Sequence, residues 1–389
     1  MKQFLTLLLL FTFHGIMAVT KSSPLTSAKP TSLTAQQADE ALTRIVAQWK
    51  AEQAPRLRLN EKDHTIRQGD LVMRYWYHGF GKEPVDGRSL YISMHGGGGA
   101  PQAVNDQQWQ NQKELYQPRE GVYLAPRAPW DAWNMWFQEP IDSMFEELIQ
   151  TMVVLYNVNP NKVYIMGYSA GGDGVWRLAP RMADRWAAAA MMAGHPGDVS
   201  LLNVRNLPFT IWCGALDAAY NRNAEVAKRG VQLDSLQNAD PEGYVHECHI
   251  VEGMEHWMYQ KDAAAVPWMA QYRRNPYPKY IIWQQEEVMH PTFYWLQVPK
   301  NELKRGHKVQ VTVQEKNTIS IQHCDYSQLT LFLNDALVDL NRSVKIIGPN
   351  GRTLFKGKLR RTEENLRSTL ALRGDPSYAF PAQITVNIR

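Results

Sequence analysis

The strongest constraint on this sequence lies between residues 163 and 251, where short apolar runs alternate with longer amphipathic ones. Residues 163–166, 187–192, 208–213 and 245–251 read as strands, and 171–185 and 221–236 as helices. A strand that is apolar on both faces must be covered on both faces, and strands joined through helices run parallel. The segment therefore predicts an α/β fold, a mostly parallel sheet with helices on both sides. Strands at 71–77, 89–94 and 122–124 extend the set upstream. A helix at 141–156 turns Phe145, Leu148, Ile149 and Met152 toward the core.

The alternation stops near Leu296. Beyond it come strand candidates at 308–313, 318–322, 329–333, 344–347, 354–358 and 384–388, broken by turn sequences such as Pro349-Asn350-Gly351 and by one helix at 363–372. The expected organisation is a catalytic domain over 56–296 followed by a small β-rich C-terminal domain, a sandwich, over 297–389. At the other end, Lys2 precedes an apolar run at 4–13 that is short for a membrane span but suits a signal peptide over 1–18, with Ala18 as its last residue. Residues 19–55 read as a linker and a leading helix, capped by Thr34, whose Leu42, Ile45, Val46 and Trp49 form a docking stripe. The expectation is an exported protein, periplasmic or extracellular, with no membrane span.

Of the net charge of +4, residues 301–389 hold 14 Lys plus Arg against 8 Asp plus Glu, or +6, so the remainder is nearly neutral. No run of like charge is long enough to follow a nucleic-acid backbone, which argues against such a partner. Three cysteines without C-x-x-C spacing support neither a zinc cluster nor a disulfide framework.

The chemistry concentrates at strand ends. Gly167-Tyr168-Ser169-Ala170-Gly171 joins a strand to a helix through a tight G-x-S-x-G turn, which lifts the Ser169 hydroxyl above the sheet. Upstream, His95-Gly96-Gly97-Gly98-Gly99 follows another strand, and backbone N–H groups of Gly97 or Gly98, with that of Ala170, can meet the oxygen that becomes negative when a carbonyl is attacked. A serine needs a base, and the base needs an acid. Asp217 follows the 208–213 strand and His256 follows the 245–251 strand, so the order is Ser169, Asp217, His256 at one sheet edge. His195, after the 187–192 strand, is an alternative base or a pocket residue. Asp173, opening the helix after Ser169, reads as an anion favoured at a helix N-terminus. Trp130, Trp133 and Trp136 fit two readings equally, an aromatic wall for a sugar ring or aromatic acyl group, or packing beneath a long loop. Trp257, beside His256, reads as a pocket residue.

HGGGG at 95–99, GYSAGG at 167–172, GALD at 214–217 and EHWM at 255–258 together resemble secreted α/β-hydrolase esterases. The nearest groups are feruloyl and acetyl-xylan esterases, polyhydroxybutyrate depolymerase-like proteins and the related prolyl-oligopeptidase-type hydrolases. The resemblance spans about residues 70–270. It implies Ser169 as nucleophile, Asp217 as acid, His256 as base, oxyanion donors from Gly97 or Gly98 and Ala170, no metal or organic cofactor, and an ester substrate, carbohydrate-linked or of polyester type. The string RTEENLRSTLALRGDPSYAFPA also looks like a tail appended to some bacterial members. Two alternatives stand beside the esterase. A prolyl-oligopeptidase-type peptidase would be expected to carry a large accessory domain ahead of the first strand. A non-catalytic glycan-binding protein would have no use for four motifs in register.

Overall fold

The computed structural model describes residues 32–388. The expected signal peptide, and the linker as far as residue 31, lie outside the described residues.

The leading helix α1 (Ala35–Lys62) starts from a capping box between Thr34 and Gln37 and runs through Pro55, beyond the expected end near residue 53. Its continuation is held by packing. Leu57 is fully buried, and Arg56 Nη1 reaches Glu147 Oε1 at 2.7 Å.

Eight strands form the main sheet: β1 (Thr65–Gln68), β2 (Leu71–Phe80), β3 (Arg88–Met94), β4 (Gly121–Arg127), β5 (Val158–Tyr168), β6 (Ala188–Met192), β7 (Phe209–Gly214) and β8 (His246–Val251). Their order is β1-β2-β4-β3-β5-β6-β7-β8. β1 and β2 are antiparallel and β2 is antiparallel to β4, whereas every pairing from β4 through β3 to β8 is parallel. Alternate residues serve opposite layers, as the period of two requires. Leu90, Ile92 and Ile165 enter one core cluster, while Tyr91, Tyr164 and Met166 enter another. The crossings are α2 (Gln102–Glu114), α3 (Pro140–Leu155), α4 (Ala170–Arg181) and α5 (Arg222–Ala239), followed after β8 by the short α6 (Ala265–Met269). This is the mostly parallel α/β sheet that the apolar rhythm predicts. The sequence reading had no helix at α2.

Two further sheets follow. β10 (Thr292–Phe293), β11 (Leu296–Gln297), β14 (Gln328–Leu333) and β17 (Ala382–Asn387) make one, in the order β10-β11-β14-β17. The other runs β16-β15-β13-β12-β9, built from β9 (Tyr280–Gln284), β12 (Lys308–Gln314), β13 (Thr318–Cys324), β15 (Val344–Ile347) and β16 (Thr353–Gly357). β9 and β10 precede residue 297, so the β-rich part recruits chain from ahead of that boundary. Helix α7 (Glu363–Arg373) meets α1, where Ala41, Ile45 and Trp49 bury against Leu366 and Leu370. The docking stripe on the leading helix thus finds its surface on α7. Buried side chains of the main sheet and of the β-rich part, from Ile165 to Trp295, Leu331 and Phe380, belong to one continuous cluster.

Candidate active site

Ser169 sits at the end of β5 with φ 57° and ψ −121°, a backbone region that residues with a Cβ rarely adopt. Its N–H donates to the Met192 carbonyl at 2.9 Å, which pins the turn to β6. Helix and strand approach so closely here that a Cβ on Gly171 would collide with the Met94 carbonyl. Strain of this kind persists only where the surroundings fix it.

The loops after β7 and β8 bring two further groups to the serine. His256 Nε2 lies 2.9 Å from Ser169 Oγ, and His256 Nδ1 lies 2.8 Å from Asp217 Oδ2. Asp217 is 2% exposed. The loops are tied together, since Ala215 N–H donates to the Val251 carbonyl and Leu216 N–H to that of Met254. Tyr168 clamps the histidine loop, its hydroxyl donating to the His256 carbonyl at 2.7 Å and accepting the Met258 N–H at 3.0 Å.

The glycine loop is held from both ends. His95 is fully buried, and burial lowers its pKa to about 3, so the ring is neutral. Its Nε2 accepts the Ala128 N–H at 3.2 Å, which leaves Nδ1–H to donate to the Gly96 carbonyl at 2.6 Å. At the other end Asn105 of α2, also fully buried, accepts the Gly98 N–H at 2.9 Å and donates to the carbonyls of Gly98 and Ala100 at 3.0 Å each. The Gly98 amide is therefore committed to Asn105, which removes it from the pair of loop donors expected from the sequence and leaves Gly97 beside Ala170. Gly97 has φ 108°, and a Cβ there would strike Asn105 Oδ1.

Two grooves meet at Ser169. The larger, about 920 Å³, is lined by His256, Trp257, Gln107, Gln108, Asn111 and Gln260 among others. The smaller, about 650 Å³, is lined by Trp133, Phe137, Asp173, Arg177, His195 and Arg222 together with Ala170. His195 is thus a groove residue, and its N–H donates to Asp173 Oδ1 at 2.6 Å. Burial raises the Asp173 carboxyl pKa, against the His195 N–H and nearby cations. The tryptophans divide. Trp136 is fully buried with its indole N–H on the His95 carbonyl at 2.9 Å, Trp130 packs against the core, and Trp133 is 69% exposed over the smaller groove. Trp257 is 42% exposed in the larger one. Asn105, Tyr168 and Arg222 escaped the sequence reading, because each acts through a contact that spacing along the chain does not encode. Among the described residues no group of three or more His, Cys, Asp or Glu side chains could hold a metal ion, and no helix is long and apolar enough to cross a membrane.

The strand order and the residues at the ends of β5, β7 and β8 define the class of the fold as α/β-hydrolase. Solved structures similar to this chain include a thermostable esterase, 20% identical with a TM-score of 0.42, where the match covers 54% of this chain and 62% of that one, less than two thirds of its length. A ferulic acid esterase is 16% identical over 53% of this chain and 95% of its own, with a TM-score of 0.38. A carboxylesterase from Mesorhizobium loti is 19% identical over 53% and 99%, also with a TM-score of 0.38. No protein-family model and no curated protein matches the chain.

Proposed function

We propose that the protein is an exported serine hydrolase that cleaves carboxylic esters, and the observation that carries this reading is the hydrogen-bonded line from Ser169 through His256 to Asp217. Ser169 Oγ attacks the ester carbonyl carbon as its proton passes to His256 Nε2, and Asp217 holds Nδ1–H and steadies the cation that forms. The carbonyl oxygen, now negative, takes hydrogen bonds from the amides of Gly97 and Ala170. The carbon–oxygen bond to the alcohol then breaks, the alkoxide takes the proton from Nε2, and water repeats the sequence on the acyl-enzyme.

His256 delivers that proton, and it lines only the larger groove. The alcohol therefore leaves on that side, among amide side chains and the Trp257 ring, a surface that suits a hydroxyl-rich, carbohydrate-linked alcohol. The acyl group occupies the smaller groove against Trp133 and Phe137. Ser169→Ala should leave the thermal unfolding curve in place and lower hydrolysis of a simple aryl ester by roughly 10⁴-fold or more. Retention of a tenth of the activity would reject the nucleophile. A panel of feruloyl, acetyl and hydroxyalkanoate esters, each as methyl and as sugar ester, reads the two grooves separately. A dipeptidyl amide turned over faster than all of these would favour the peptidase.

A further inference from the structure

Both oxygens of the buried Asp217 are taken. Oδ2 faces His256 Nδ1, while Oδ1 accepts from Arg222 Nη1 at 2.6 Å. The guanidinium is itself buried, with a side chain 8% exposed, and Nη1 also stands 3.2 Å from His256 Nδ1. With Nδ1–H directed at the nearer carboxylate oxygen, that last approach is one donor facing another, so the arginine's bond belongs to Asp217. Arg222 opens α5, and it points back at the acid because Tyr220 and Asn221 both take left-handed backbone, φ 57° each.

A role in tying α5 to the acid loop does not account for this side chain. The Asn223 N–H already donates to the Asp217 carbonyl at 3.1 Å, and Asn223 Nδ2 to the Ala215 carbonyl at 2.7 Å. What Arg222 supplies, alone among the described residues, is a partner for Oδ1. A carboxylate turns easily about its last torsion, and a buried oxygen without a donor is costly, so an unpartnered Asp217 would rotate toward other donors and loosen its hold on Nδ1–H. We propose that Arg222 is a positioning residue for the proposed hydrolysis: by fixing Oδ1 it sets the plane of the Asp217 carboxylate, and through it the orientation of His256 toward Ser169. The inference rests on the serine hydrolase reading.

The test is the rate at which a fluorophosphonate labels Ser169, which needs no knowledge of the natural ester. Arg222→Ala should label about 100-fold more slowly, the scale of a displaced catalytic group, with KM for an aryl ester within about twofold of wild type. Free guanidinium at tens of millimolar should restore at least about tenfold of the labelling rate by returning an N–H donor to Oδ1. Should Arg222→Ala not fold, Arg222→Gln carries the same measurement. Labelling at the wild-type rate, or a loss that guanidinium does not relieve in a variant with wild-type thermal stability, overturns the inference alone. Wild-type protein that does not label overturns the hydrolase reading and this inference with it.

Discussion

At the scale of single residues, Asp217, His256 and Ser169, the proposed acid, base and nucleophile, were legible because each sits just after a strand, and strand ends converge wherever a parallel sheet forms. The support around them was not. Gly98 and Gly97 are identical in sequence, and only the Asn105 side chain decides which amide is free. Asn105→Leu, close in volume, should lower kcat for an aryl ester by about 10²-fold through the loosened oxyanion loop, the range of losing one such donor, with the fold retained. Unchanged kcat would show that the loop holds its shape without this side chain. A different residue contributes to the pH dependence of stability. Burial raises the Glu286 carboxyl to about 7, with the negative Glu287 adding to it. The folded protein thus keeps a proton that the unfolded chain has lost, so this contribution is full below the ordinary carboxylate pKa and disappears as pH rises through 7. Glu286→Gln should stabilise the protein relative to wild type at pH 8.5 by up to about 3 kcal/mol, and by much less at pH 5. Urea unfolding at both pH values checks it, and an equal effect at both would refute the assignment.

At the scale of elements, the helices with apolar stripes were visible and α2 was not. The buried face of α2 is Asn105, Trp109 and Gln112, so two of three inward residues are polar and no hydrophobic period of 3.6 marks it. Those polar groups are satisfied by tertiary partners, Asn105 by the glycine loop and Gln112 by Ser93 Oγ at 2.7 Å. The tryptophan loop shows the converse, a segment whose composition fits two readings until burial separates its members. Trp136→Ala should cost about 3 to 5 kcal/mol of stability, the range for emptying a large core site. Trp133→Ala should leave stability within about 0.5 kcal/mol, as exposed substitutions do, and raise KM for an aromatic acyl ester over that for an acetyl ester. Equal effects of the two on stability would contradict the division of roles. The turn at Ser169 belongs to this scale as well. Gly171→Ala would press a methyl group into the Met94 carbonyl, and backing α4 away from it would displace Ser169 at the start of that helix.

At the scale of the whole molecule, the sequence read from 297 onward as a separate body, since the β/α rhythm ends and the charge changes sign there. Side chains far apart in sequence meet across that boundary. Asp184, Arg185 and Arg274 are buried, and their buried partners come from the last turn of α7 and the residues after it. Arg373 pairs with Asp184, Arg274 Nη2 lies 2.8 Å from Asp375 Oδ2, Arg185 Nη2 donates to the Arg373 carbonyl at 3.0 Å, and the Tyr378 hydroxyl donates to the Asp184 carbonyl at 2.7 Å. Burial pushes both aspartates up, but Arg373 and Arg185 beside Asp184, and Arg274 and Arg185 beside Asp375, hold them below the usual carboxylate range. Their contribution is therefore present above that range and lost as pH falls through and below it. Removing 301–389 would take away these partners and uncover the Trp295 and Tyr294 side of the common core, together with the apolar side chains that now pack against β14 and β17. A marginally stable chain does not tolerate the loss of one side of its shared core, so the truncated chain should give neither a cooperative unfolding transition nor fluorophosphonate labelling. Arg373→Met is the milder form of the same experiment, expected to lower stability by about 3 to 5 kcal/mol at pH 7 while protein that remains folded labels at the wild-type rate. A truncated chain that folds and labels would instead make the β-rich part a detachable appendage, and its basic charge would then be the place to look for an anionic polymer.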